Sequence, residues 1–134
     1  MKEMIYTHED HGEIIEEGTI DGYDWIIVSY GAWPAAYVRL QEDDPYYNQS
    51  YDNMNITVHG DITFAEHEYH PYIDGIKPRE GFWIGWGYDK IKDFIKLTAK
   101  HTPRPYQKVW TTEEIFEDVK SVIEQLKNIK LKGE

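Results

Sequence analysis

Cysteine is absent from the 134-residue chain, so there is no disulfide and no thiolate chemistry. Basic residues are scarce. Fourteen Lys and Arg stand against 25 Asp and Glu, a formal net charge of −11. A field of that sign repels nucleic-acid backbones and anionic membranes, which disfavours a general DNA- or RNA-binding role. The carboxylates are scattered rather than set in a regular row, which argues against a DNA mimic. No apolar run approaches membrane-spanning length. The opening MKEMIYTHEDHGEIIEEG has no apolar core of signal-peptide length, and the reading that follows is a cytosolic protein. No nucleophile elbow, phosphate loop or dinucleotide fingerprint occurs, and there is neither an internal repeat nor a low-complexity segment.

What is abundant is aromatic: eleven Tyr, five Trp and four Phe. Tyr and Trp combine an apolar body with a polar handle and suit half-buried pocket walls, interfaces and cross-strand pairs. Hydrophobic residues reach 40%, enough for one folded domain with a single core. Short strands are expected over residues 4–10, 13–21, 21–31, 35–40, 56–69 and 81–89, with Asp21-Gly22 and the Gly31–Pro34 connection as turns. Residues 41–55 read as a long, tyrosine-rich loop, and 70–81 as a loop with two prolines. Ile91, Phe94, Ile95 and Leu97 give a short amphipathic helix within 88–100, followed by an extended linker around Pro103 and Pro105. Thr111 and Glu114 form a capping box that opens a C-terminal helix over about 112–130. Strands first and helices last make an α+β domain: an antiparallel sheet of about five to six strands, a short helix, and an amphipathic helix packed on the sheet.

Two groups of side chains carry possible chemistry. His59, Asp61 and His67 share parity within the strand expected over 56–69, and three such ligands could hold Zn²⁺ or Mn²⁺ for a metal-dependent hydrolase. Their spacing matches no standard metal motif, and a polar sheet face is the simpler reading; no metal or other cofactor is expected. The second group is basic and aromatic. Arg39 and Arg79 flank loops rich in Tyr and Trp, and converging arginines would make a local phosphate site in an acidic protein. Tyr47, Tyr51, Trp83, Trp86 and Tyr88 would then be available to stack on a base.

At VHGDITF, FWIGWGYDKIKDF and WTTEEIFEDVKSVIEQL the chain resembles a family of small phage- and prophage-encoded proteins with VHGGLTY, WWIGFDCAHAGD and a similar C-terminal helix. The resemblance extends from GYDWIIVSYGAWPAAYVRLQEDDPYY, beginning at Gly22, to about residue 126. Two family features are missing. A His-Arg-Cys run is replaced by Ala32, Trp33 and Pro34, and the family histidine before Asp93 is lost. His59, Gly60, Thr63, Trp83, Ile84, Gly85 and Asp93 are retained. The resemblance implies a counter-defence factor acting in the cytoplasm of an infected bacterial host. It would sequester a small nucleotide-derived immune signal without catalysis, or else bind a host defence protein directly. Joined to the basic and aromatic group, the retained residues give the expected ligand set: Arg39, Tyr47, Tyr51, His59, Thr63, Arg79, Trp83, Trp86, Tyr88 and Asp93. Sheet edges and a face left uncovered by two helices further predict a homo-oligomer.

Overall fold

The computed structural model describes residues 6, 13–69, 78–98 and 100–132. Its sheet has five strands: β1 (Glu13–Ile20), β2 (Tyr23–Ser29), β3 (Pro34–Arg39), β4 (Phe64–Tyr69) and β5 (Arg79–Gly87). All pairings are antiparallel, in the order β1-β2-β3-β5-β4. One helix, α1 (Thr112–Leu131), closes the chain and packs over β1, β2 and β3. The architecture is α+β. No helix among the described residues is long and apolar enough to cross a membrane.

The first hairpin turns at Asp21 and Gly22, whose φ values of 51° and 84° give the doubly positive turn that suits strand twist. β2 and β3 join through Gly31–Trp33, closed by the Tyr30 amide donating to the Trp33 carbonyl at 2.9 Å. The helix begins as its sequence demands. Thr111 Oγ1 accepts from the Glu114 amide at 3.2 Å, and Glu114 Oε1 accepts from the Thr111 amide at 3.1 Å. Ile115, Val119, Val122, Ile123 and Leu126 form its buried stripe, each burial stabilising the fold by roughly 1.5–3 kcal/mol. The stripe meets Trp25, Ile27, Ala36, Val38, Ile84 and Trp86 on one sheet face. Ile26, Val28, Ala35, Tyr37, Tyr69 and Trp83 form a smaller cluster on the other.

Two expected elements are corrected. The strand over 56–69 is formed only from Phe64. Before it, Gly60 and Asp61 take φ values of 68° and 61°, and the Asp61 amide donates to the Val58 carbonyl, a tight turn where alternation suggested extended chain. The short helix within 88–100 is absent from the described residues. Its backbone donors go elsewhere: Phe94 to Lys108, Lys96 to Ala32, and Lys108 back to Lys92. Asp93 and Lys108 form an isolated parallel bridge, so distant pairing replaces the helical ladder. The strand expected over 4–10 falls outside the described residues apart from Tyr6, as does most of the loop over 70–81.

Candidate functional site

The sheet face away from α1 carries a cleft of about 420 Å³, lined by side chains from β1, β2, β3 and β5. Arg39 ends β3 and lies directly opposite Trp83 of β5, so the two project on one face. Arg79, at the start of β5, reaches across to β1. Its Nη1 and Nη2 donate to Glu17 Oε1 and Oε2 at 2.8 and 3.3 Å, a two-pronged pair spanning the cleft. Arg39 Nη1 stands 3.5 Å from Asp24 Oδ2, and Thr19 donates its hydroxyl to Asp24 Oδ1 at 2.7 Å. Glu80 completes the rim. The Arg79 Nε is buried with no hydrogen-bond partner among the described residues, a donor left over inside a site otherwise full of acceptors.

Arg39 also borders a second cleft of about 220 Å³, with Asp24, Gln41, Glu42, Tyr47 and Gly81. Arg39 and Asp24 line both hollows. Gly81 gives Arg39 its place between them: its φ is 105°, and a Cβ there would overlap Arg39 Nε.

A second cluster forms where the chain leaves β5. Asp93, almost wholly buried, accepts from three donors: His59 Nε2 through Oδ2 at 2.7 Å, the Lys90 amide through Oδ2 at 2.9 Å, and Trp110 Nε1 through Oδ1 at 2.9 Å. The His59 ring stacks on Tyr88, centroids 5.1 Å apart and planes within 3°. Tyr88 in turn donates to Asp118 of α1 at 2.6 Å and accepts from Trp86 Nε1 at 2.9 Å. Burial, then the bond to Asp118, pushes the Tyr88 hydroxyl far above the usual phenol range, so it stays a neutral donor. A histidine held by a carboxylate has the elements of a general base, yet no hydroxyl among the described residues is hydrogen-bonded to His59. The cluster is a closed network that fastens the segment after β5 to the helix.

The ten expected ligand residues thus divide. Arg39, Arg79 and Trp83 meet in the larger cleft, and Tyr47 joins Arg39 in the smaller. His59, Trp86, Tyr88 and Asp93 meet in the network. Thr63 lines a separate hollow of about 230 Å³ with Tyr30, Trp33, Tyr37 and Lys90. Tyr51 sits exposed on a 3-10 turn over Tyr51–Asn53. Trp83 is 2% exposed and its indole N–H is taken by the Glu80 carbonyl; Trp86 and Tyr88 are buried under α1. These three rings hold the walls in place rather than offering an open stacking face.

His59, Asp61 and His67 do not converge. His59 is bound to Asp93, Asp61 occupies the tight turn, and His67 Nε2 meets Asn48 Oδ1. Among the described residues no three His, Asp or Glu side chains gather so as to hold a metal ion. Sequence reasoning missed Glu17, Asp24 and Glu80 in the cleft, and Trp110 and Asp118 in the network. The alternation of Glu17 and Thr19 along β1 was a readable signal for one shared polar face; nothing local marks Asp118 among the other helix acids. In comparisons with known proteins, no family model, no curated protein and no solved structure matches the chain.

Proposed function

We propose that the chain is a non-catalytic binding protein of phage counter-defence, which sequesters a small nucleotide-derived immune signal in the arginine cleft. The observation that carries this reading is the meeting of Arg39 and Arg79 in one hollow of about 420 Å³ beside Glu17, Asp24 and Glu80. Small-molecule sites span about 300–1,000 Å³. Arginine forks match phosphate oxygens in pairs, while carboxylates accept hydrogen bonds from ribose hydroxyls and exocyclic amino groups. A lining with both signs therefore suits a nucleotide derivative better than bare phosphate, which three carboxylates would repel.

Glu17 is the more exposed partner of the pair, so a ligand phosphate can replace its carboxylate on the two Nη atoms of Arg79. Calorimetry with a panel of cyclic dinucleotides and ADP-ribose derivatives tests the reading. The expected result is micromolar or tighter binding of at least one member, weakened about tenfold or more by Arg39→Ala and by Arg79→Ala, as loss of a charge-assisted hydrogen bond implies. An absence of binding across the panel at micromolar concentrations removes it.

A further inference from the structure

Charge in this chain is segregated. Residues 40–69 contain seven Asp or Glu and no Lys or Arg, whereas residues 90–108 contain six Lys or Arg and one acid. That single acid, Asp93, is buried and held by His59 and Trp110. The segment after β5 is thus a basic ribbon on an acidic molecule. Lys92, Lys96, Lys100, Arg104 and Lys108 recur at every fourth residue, but the ribbon is not helical, and all of them except the half-buried Lys96 are exposed. Apolar side chains stand among them: Ile91 is 89% exposed, Leu97 67%, Tyr106 60% and Val109 44%. These are four of the six large hydrophobic side chains exposed among the described residues, concentrated in one short stretch. Clustered exposed apolar side chains of this kind mark an interaction surface.

The ribbon is pre-organised. Its two limbs are tied by Phe94 N–H donating to the Lys108 carbonyl at 2.9 Å and Lys108 N–H to the Lys92 carbonyl at 2.7 Å, and Lys96 N–H donates to Ala32 at 2.9 Å. Two of its lysines form local ion pairs, Lys90 with Asp89 and Lys108 with Glu114. Glu42, Asp52, Asp61 and Glu66 meanwhile face solvent in the wholly acidic stretch.

We propose that the ribbon docks on the exposed carboxylates of the 40–69 stretch, Glu42, Asp52, Asp61 and Glu66, of a second copy of this chain. Each copy carries both halves of the contact, so two copies can satisfy both at once and close as a two-fold dimer. The occupant follows from charge: a molecule of net −11 repels phosphate polymers at a distance, and five of the six basic residues of the ribbon are lysines. Repulsion between two such copies is screened beyond about 8 Å at physiological salt, whereas the complementary charges meet at contact.

Sedimentation velocity on the full chain at tens of micromolar, across a salt series, tests this. The expected species has twice the 15.9 kDa chain mass, with a dissociation constant that rises about tenfold from physiological to high salt. Lys92→Glu/Lys100→Glu/Arg104→Glu is expected to be monomeric with an unchanged circular dichroism spectrum, because these side chains are exposed. Glu42→Lys/Glu66→Lys is expected to weaken the dimer likewise, and an equimolar mixture of the two variants to restore it. A wild-type monomer at physiological salt overturns the proposal, as does a dimer indifferent to both reversals. Ribbon-dependent binding of anionic vesicles or RNA by a monomeric chain overturns it too, and assigns the ribbon to that partner instead.

Discussion

Asp93 shows how much a single side chain holds. Its carboxylate satisfies an imidazole, an indole and a backbone amide while almost wholly buried. Replacing it by alanine leaves three donors facing a void, and unsatisfied buried groups cost about 1–3 kcal/mol each before relaxation. We expect Asp93→Ala to lower stability by about 3 kcal/mol, and His59→Ala by less, since the carboxylate then keeps two of its three donors. Urea denaturation of both variants checks the order; equal losses would place the stability in the His59 ring stack on Tyr88 instead. His59 and Asp93 were each conspicuous in the sequence. Their pairing was not, because it joins a turn before β4 to a turn after β5, and no periodicity relates the two.

Local chemistry decides which elements can be read without a structure. The capping box and the stripe from Ile115 to Leu126 specify α1 almost residue for residue, and Asp21-Gly22 specifies the first hairpin. Where distant hydrogen bonds compete, the same reasoning fails. Ile91, Phe94, Ile95 and Leu97 have helical spacing, yet Ile91 and Leu97 point to solvent and the amides bond to Ala32 and Lys108. The strand expected over 56–69 failed because Gly60 and Asp61 turn sharply within an alternating pattern. The arginine cleft was legible as a list of residues but not as a place, since the pairing of Arg39 with Trp83 and the reach of Arg79 to Glu17 depend on strand order. Within β5, Gly81 lets Arg39 lie flat across the strand. Gly81→Ala is therefore expected to cost about 1–2 kcal/mol through its positive φ. It is also expected to weaken ligand binding as much as Arg39→Ala does. Melting curves and the same calorimetric panel report the two effects separately; unaltered binding would show that Arg39 does not need its seat on Gly81.

For the molecule as a whole, the aromatic surplus becomes a pH limit. Burial, aided by the bond to Asp44, pushes the Tyr23 hydroxyl up to about 12, and burial raises Tyr6 to about 12 as well. Tyr69 and Tyr88 shift in the same direction. In an unfolded chain these phenols ionise near their ordinary value of about 10. Their stabilising contribution is thus complete below pH 10 and is lost as pH rises toward 12. Alkaline titration followed by tyrosinate absorbance and circular dichroism should show exposed tyrosines ionising first and the buried set only together with unfolding; smooth ionisation of every tyrosine in a folded protein would contradict this. The strand order has a consequence in time. β1, β2 and β3 form a meander of near neighbours, but β3 finds its second partner only in β5, and β4 then joins the far side of β5. Pairings between distant segments form late and slowly. On a ribosome the open edge of β3 must wait until the chain has been made through Gly87. Throughout that interval Pro34 at its start and Arg39 at its end are the residues placed to keep that edge from recruiting a stray strand.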